Sequence, residues 1–273
     1  MKITCLQMDM KLGLPAQNFS HAEYLIDRAM QEKTDVLVLP ETWNTGFFPK
    51  EHLALYSCQD GDMVKRCIGS LAEKYHVHIV AGSVSNVRGG NIYNTAMVFD
   101  RNGQCIAEYD KTHLFTPLGE HNFYTRGDHL CRFLLDGVPC GVIICYDVRF
   151  PELVRTLCLS GIDILFVVSQ WPKERIPHLQ TLTAARAIEN QIFVAYCNSC
   201  GVAEQTAFGG HSAILNPSGT VLVQAGPFEE IISATCNLQL LVEIRSRIPV
   251  FRDRNPKLYA INELSQVRNA QIG

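Results

Sequence analysis

The stretch "GVIICYDVRFPEL" (141–153) carries a buried-type run directly into a set of reactive side chains. Its first half is aliphatic and β-branched, which is typical of a strand in a sheet core. The run ends on Cys145, and Tyr146, Asp147 and Arg149 follow at once. A cysteine here could simply be a small apolar core residue, or the strand could hold a nucleophile at its exposed end.

Outward from this stretch, short β-rich runs alternate with amphipathic helical periods. The first half predicts strands at 2–10, 35–40 and 77–84 and helices at 17–32 and 62–75. The second half repeats the device, with strands at 138–144, 163–169 and 192–197 and helices at 150–160 and 178–190. No linker, low-complexity tract or charge block interrupts the pattern. We therefore predict one α/β domain over residues 1–273, built from sheets covered by helices.

The end of the chain, from about residue 245 to residue 273, breaks this regular pattern. Its mixed composition indicates an arm that packs on another surface, and we predict that this surface belongs to a partner subunit. The dipeptide Asp136-Gly137 lies between two strand-like runs and predicts a two-residue hairpin turn.

Composition excludes several classes of function. The chain is 47% hydrophobic and 19% charged, with a net charge of -3 and an isoelectric point near 6.3. Such a chain has no basic footprint for nucleic acid or an anionic membrane. No apolar run is long enough to span a membrane, and the first is too short for a signal peptide. The eleven cysteines are scattered singly, so we predict free thiols, a cytoplasmic location and no metal site.

Three strand-like runs end in residues that do not belong in a core. One ends on Glu41, a second on Lys111 and the third on Cys145. Ligands in α/β folds gather beyond the carboxyl ends of strands, so these three side chains could converge. Each position taken alone is more often a solvated loop residue. The triple coincidence favours a functional site.

The chemistry of such a trio is coherent. Glu41 could act as the base that takes the thiol proton, and Cys145 could then attack a carbonyl carbon. Lys111 and the backbone N–H of Tyr146 could stabilise the resulting oxyanion. Two alternatives explain less. A papain-like thiol hydrolase needs a cysteine–histidine pair that has no matching block here, and a non-enzymatic interaction protein would not need all three competent residues.

The blocks "LPETWNTGF", "YDKTHLF" and "CYDVRFPEL" resemble the three signature blocks of the nitrilase, or carbon–nitrogen hydrolase, superfamily. The likeness covers nearly the whole chain, including "GGHSAILNPSG". It implies a four-layer α-β-β-α sandwich, thiol chemistry without a cofactor, and homodimers or higher assemblies. Transferred position by position, Glu41 is the base, Lys111 the oxyanion stabiliser and Cys145 the nucleophile. The family's second glutamate corresponds to Glu120.

Within the superfamily, "CYDVRFPEL" is similar to amidases of small carboxylated amides, and the pairing with "GEHNFYTRGD" most resembles bacterial omega-amidases. This implies hydrolysis of 2-oxoglutaramate or 2-oxosuccinamate. A deaminated glutathione amidase, or another small-amide or nitrile hydrolase of the superfamily, is the alternative. Candidate anchors for the substrate carboxylate are Arg149, Arg126 and the hydroxyl of Tyr124. Arg149 could instead pair with Asp147 or Glu152, and Trp171 could wall the pocket or serve the core.

Overall fold

The computed structural model describes residues 1–47 and 49–259. The strands are β1 Lys2–Gln7, β2 Val36–Val38, β3 Cys58–Gln59, β4 His78–Arg88, β5 Asn91–Phe99, β6 Cys105–Asp110, β7 Arg132–Leu135, β8 Val138–Ile144, β9 Ile164–Ser169, β10 Phe193–Asn198, β11 Cys200–Ala203, β12 Thr206–Gly209, β13 Ala213–Leu215, β14 Val221–Gln224 and β15 Glu230–Thr235. The α-helices are α1 Pro15–Ala29, α2 Leu53–Tyr56, α3 Asp62–Tyr75, α4 Pro151–Leu159, α5 Ile176–Asn190 and α6 Gln239–Arg247.

Two mixed sheets form the centre of the molecule. The first has the order β15-β1-β2-β4-β5-β6, with β3 paired to β4, and the second has the order β14-β13-β10-β9-β8-β7. Strands β1, β2 and β4 run parallel, as do β8, β9 and β10. Each half of the chain thus contributes a parallel core, and antiparallel strands flank both cores, with β15 of the second half completing the first sheet. This is the repetition that the sequence predicts.

The hydrophobic residues separate into three layers. Val36 and Val38 of the first sheet pack with Val142 and Ile144 of the second in one cluster between the sheets. The residues between them, such as Leu37, point to the opposite face of the sheet and pack in a second cluster, as expected for a strand buried on both faces. Each such fully buried aliphatic side chain contributes about 1.5–3 kcal/mol.

Helices cover the two outer faces. Helices α1 and α3 pack on the first sheet through side chains such as Leu25 and Ile68. Helices α4 and α5 pack on the second through side chains such as Leu157 and Leu179. The predicted four-layer α-β-β-α sandwich is confirmed. The single domain over the full chain stays a prediction, because the structure does not describe every residue.

The boundaries follow local rules with small differences. The helix predicted at 17–32 begins earlier, at Pro15, because proline suits a first helical position. The hairpin turn is confirmed: Asp136 and Gly137 both have positive φ, 48° and 80°, between β7 and β8. No helix in the described part of the chain is long and apolar enough to cross a membrane.

The predicted irregular arm is only partly irregular. Residues 245–247 are the end of α6, and a short 3-10 helix spans Pro256–Leu258. Helix α6 was not predicted from the sequence, because its exposed face carries apolar Val242 among polar neighbours and the amphipathic pattern is therefore weak. The last part of the arm, 260–273, lies outside the described residues.

Candidate active site

The three strand-end residues lie together at one edge of the sandwich. Glu41 comes three residues after β2, Lys111 directly follows β6, and Cys145 directly follows β8. The first two therefore come from one sheet and the thiol from the other. Lys111 Nζ donates to Glu41 Oε1 at 2.8 Å, and both side chains are buried.

A second carboxylate shares the lysine. Lys111 Nζ also lies 3.0 Å from both oxygens of Glu120, which is 2% exposed. Glu120 is held by the backbone N–H of Phe115, which donates to its Oε2. Two buried carboxylates around one ammonium leave a net charge of about -1 and strongly stabilise the charged lysine. The pKa of Lys111 is raised well above its usual value: burial opposes the shift, and Glu120 and then Glu41 outweigh it.

Neutral donors complete the surroundings of Glu41. Asn94 Nδ2 donates to Glu41 Oε1 at 2.9 Å, and the backbone N–H of Gln170 donates to Oε2 at 2.9 Å. Lys111, Asn94 and the Gln170 N–H all donate to this carboxylate, which makes it an acceptor beside the thiol. Neither residue was predicted from the sequence, because Asn94 comes from β5 and Gln170 directly follows β9, both far from Glu41 in the chain.

Cys145 begins a 3-10 turn, Cys145–Arg149, immediately after β8. Its φ is +49°, in the left-handed region that a side chain rarely occupies. Burial, and then the negative charge of Glu41, raise the pKa of the Cys145 thiol well above its usual value, against a lowering by Lys111. The thiol is therefore protonated near neutral pH, with a carboxylate beside it that can take the proton.

Asp147 connects the turn that begins at Cys145 (the thiol turn) to the residues that follow Lys111 (the lysine loop). Its Oδ2 accepts from the backbone N–H of Ile144 at 3.0 Å and from Tyr109 Oη at 2.8 Å. Its Oδ1 accepts from Thr112 Oγ1 at 3.1 Å and from the backbone N–H of His113 at 3.0 Å. The carboxylate is fully buried. It therefore ties the residue before the nucleophile to residues that follow Lys111.

A cavity that is open to solvent lies above the thiol. Cys145 and Lys111 form part of its lining. Most of the remaining lining residues are aromatic, aliphatic or cationic, and the two polar exceptions are Gln170 and Thr206. The others are Phe47, Phe115, Leu118, Tyr146, Arg149, Trp171, Pro172, Arg175 and Phe208. Apolar walls with two arginines suit a small ligand with a negatively charged end.

The candidate substrate residues divide into two groups. Tyr146, Arg149 and Trp171 line the cavity. Glu120 lies behind Lys111 and supports it. Tyr124 also lies outside the cavity lining, because its buried hydroxyl pairs with Ser85 Oγ on β4.

Arg149 does not make the ion pairs considered from the sequence. Asp147 is used by the lysine loop, and no ion pair with Glu152 is formed. The guanidinium carbon of Arg149 instead lies 4.7 Å from the ring centroid of Trp171, and its Nη2 is 3.2 Å from His178 Nδ1. Arg126 is exposed and is not part of the cavity lining.

Sequence reasoning missed one cation at the cavity. Arg175 lies six residues beyond the end of β9, and its guanidinium carbon is 5.1 Å from the ring centroid of Phe115. Trp171 was selected because it lies close to the end of a strand. A search that continued four residues further along the chain would have reached Arg175. Within residues 1–47 and 49–259, no three histidine, cysteine or acidic side chains cluster as metal ligands.

The chain was compared with protein families and known proteins. A family model described as carbon-nitrogen hydrolase matches residues 2–246. The 2-oxoglutaramate amidase of Bacillus subtilis is 42% identical over 94% of this chain and 98% of its own length. Omega-amidase NIT2 of Danio rerio is 30% identical over 93% of this chain and 94% of its own length.

A solved structure has the same fold. It is XC1258 from Xanthomonas campestris, described as a CN-hydrolase superfamily protein with an arsenic adduct in the active site. It superposes with a TM-score of 0.85 at 28% sequence identity, covering 93% of this chain and 97% of its own. The likeness therefore extends over nearly the whole sandwich.

Proposed function

Because the chain belongs to the carbon-nitrogen hydrolase family, we propose that it hydrolyses the terminal amide of a small carboxylated substrate through a thioester on Cys145. The family and its omega-amidase relatives make the protein a hydrolase of carbon–nitrogen bonds other than peptide bonds, with a small-molecule amide as substrate. The observation that carries the finer proposal is the buried lysine shared by Glu41 and Glu120, beside the thiol at the floor of the cavity.

Acylation follows from these positions. The carboxylate of Glu41 takes the proton of Cys145 as the sulfur attacks the amide carbon. The carbonyl oxygen becomes an oxyanion beside Lys111 Nζ and the backbone N–H of Tyr146. Glu41 then gives the proton to the leaving nitrogen, the C–N bond breaks, and ammonia departs. An acyl thioester remains on Cys145.

Deacylation reverses the roles. Glu41 takes a proton from water, and the oxygen attacks the thioester carbon. The second tetrahedral intermediate uses the same oxyanion donors and collapses by breaking the C–S bond. The proton on Glu41 returns to the Cys145 sulfur. The sum is amide plus water giving acid plus ammonia, and Glu41 ends in its starting state.

The substrate we favour is 2-oxoglutaramate or 2-oxosuccinamate. A 2-oxoglutaramate amidase is 42% identical over nearly the whole of this chain, and the cavity above the thiol is lined by cationic side chains that suit a small carboxylated amide. Arg149 lines this cavity with no carboxylate partner in the described part of the chain, so it is available for the carboxylate of a substrate.

Ammonia release tests the proposal. We expect 2-oxoglutaramate or 2-oxosuccinamate to exceed an uncharged amide of equal length and an aliphatic nitrile, all at equal concentration. The Cys145→Ala variant should abolish the release while its circular dichroism spectrum stays unchanged. A preference for the nitrile, or indifference to the carboxylate, would contradict the omega-amidase assignment. Better turnover of deaminated glutathione would select the alternative within the family.

Two further parts of the proposal concern the setting of the enzyme. We propose a homodimer, since α4 and α5 carry exposed apolar side chains on the outside of the second sheet. We also propose a cytoplasmic location, because all eleven cysteines are free thiols, which reducing compartments preserve.

A further inference from the structure

A second arginine faces the cavity from a different element than Arg149. Arg175 ends the 3-10 turn Lys173–Arg175 that connects β9 to α5, and Arg149 ends the turn that follows β8. Strands β8 and β9 are parallel neighbours, so both turns leave the same edge of the sheet. The two guanidinium groups therefore approach one cavity from adjacent strand ends.

Aromatic rings, not carboxylates, hold both groups in place. Arg175 lies over Phe115, and Arg149 lies over Trp171. Other half-buried arginines in this chain, such as Arg101 and Arg245, form ion pairs with aspartates. No ion pair involves Arg149 or Arg175 within residues 1–47 and 49–259. Contact with a ring face leaves the N–H edge of a guanidinium available to an oxygen ligand.

A third donor lies between the two arginines in the chain. Trp171 is 3% exposed and lines the cavity, and its indole Nε1 has no acceptor among the described residues. A buried indole N–H normally has an acceptor. The indole nitrogen is itself inaccessible to solvent, so the site for an anion with several oxygens is made by the two arginines.

The charges separate along the cavity. At the floor, Lys111 is outbalanced by Glu41 and Glu120, so this region carries about -1. The lining adds Arg149 and Arg175, which together carry about +2. An amide with a carboxylate at its far end is favoured in one orientation, with the neutral amide at the floor and the anion near the arginines.

We propose that Arg175 and Arg149 form an anion clamp that selects amides whose far end carries a carboxylate beside a second oxygen acceptor. A 2-oxo acid has these groups. This inference rests on the proposed function and deepens it. Arg175 is the residue that extends the clamp beyond a single carboxylate contact, and it sets the preference for charged over neutral amides.

The test compares kcat/KM for 2-oxoglutaramate and for an uncharged amide of equal length. Arg175→Met should lower the value for 2-oxoglutaramate by about 10- to 100-fold, the loss expected for one charge-assisted contact. It should change the value for the uncharged amide by less than about 3-fold, because the catalytic floor is untouched. Arg175→Lys should fall between wild type and Arg175→Met. Arg132→Met, which removes an exposed arginine outside the cavity lining, is the matched control.

A binding measurement separates this inference from the proposed function. In the Cys145→Ala background, calorimetry should show that Arg175→Met weakens binding of 2-oxoglutarate, the dicarboxylate product. Equal losses on both amides would show that Arg175 only supports Phe115, and unchanged values on both would also overturn the clamp. If wild type releases no ammonia but Arg175→Met still weakens 2-oxoglutarate binding, the proposed function fails and the clamp stands.

Discussion

At the residue scale, the backbone of Cys145 determines where the thiol can reach. Ile144 is extended, with φ -115° and ψ 114°, and Cys145 then takes a φ of +49°. A left-handed conformation at a non-glycine residue costs about 1–2 kcal/mol. The reversal takes the chain out of the strand and places the sulfur at the cavity. The bond from the Ile144 N–H to Asp147 helps to hold this turn.

Because Glu41 is the proton acceptor of Cys145, Glu41→Gln should make the thiol easier to alkylate and at the same time lower amide turnover. The charge of Glu41 raises the pKa of Cys145. Glu41→Gln removes that charge, so the thiol pKa falls and the thiolate forms at lower pH. We expect the pH profile of iodoacetamide alkylation to move to lower pH. Amide turnover should fall by about 10²-fold or more, because the proton carrier is lost.

The measurement needs a background without the exposed Cys67, which would also react. Cys67→Ser supplies it, and labelling at Cys145 is followed by mass spectrometry. Glu120→Gln is the matched control, since it removes a buried negative charge from the same lysine without touching the thiol's own proton acceptor. An unshifted profile in Glu41→Gln, or an equal shift in both variants, would argue against Glu41 as the base.

At the scale of elements, Asp147 joins two loops that would otherwise be independent. One carries Lys111 from β6, and the other carries Cys145 from β8, which belongs to the opposite sheet. The distance between the oxyanion donor and the nucleophile therefore depends on this buried carboxylate. Errors of about 1 Å in such a distance can cost about 10²-fold in rate.

Asp147→Asn should damage both stability and rate. Each carboxylate oxygen accepts a backbone N–H, from Ile144 and from His113, and a backbone N–H cannot reverse its polarity. Either orientation of the asparagine amide puts its NH₂ group against one of them. We expect a loss of about 2–4 kcal/mol in the free energy of unfolding, measured in urea, and at least a 10-fold lower kcat.

Tyr109→Phe provides the milder control. It removes one hydroxyl donor to Asp147 and keeps both backbone contacts, so about 1–2 kcal/mol should be lost. The role assigned to Asp147 would be refuted by an Asn variant as stable and as active as wild type. It would also be refuted if Tyr109→Phe were the more damaging change.

How far the sequence predicts the site depends on whether a residue's partners are local. Glu41, Lys111 and Cys145 are visible because each interrupts an apolar strand at its end. The sequence offers Asp147 only as a possible partner of Arg149, whereas the carboxylate accepts from Ile144, the last residue of the preceding strand, and from residues at or just after the end of β6 in the other sheet. Tyr124 follows Glu120 by four residues, but its hydroxyl meets Ser85 instead of the cavity.

The fold was more predictable than the pocket for the same reason. Period and burial determine the strands and helices locally, and the two matching halves of the chain determine the layers. The pocket wall depends on side chains from four connections that meet only after folding. Arg175 shows the consequence, since nothing in "PKERIP" separates it from a solvated loop arginine.

At the scale of the whole molecule, the outer helices of the second sheet present apolar surface at one end. Ile188 of α5 is 54% exposed, and Ile248, just after α6, is 63% exposed. The two segments are neighbours, because Gln191 Nε2 donates to the Ile248 carbonyl at 2.7 Å. Leu159 at the end of α4 is 46% exposed, and α4 packs against α5. Such grouping favours an interface.

The predicted homodimer can be tested on this surface. Ile188→Glu should convert a dimer into a monomer, because burying an unpaired carboxylate at an apolar interface is strongly unfavourable. Light scattering coupled to size-exclusion chromatography at micromolar concentration measures the mass. Leu55→Glu is the matched control, since Leu55 is 76% exposed on α2, away from these helices, and the change should leave the mass unaltered. A wild-type monomer, or an Ile188→Glu dimer, would show that the exposed apolar side chains of α5 serve no self-association.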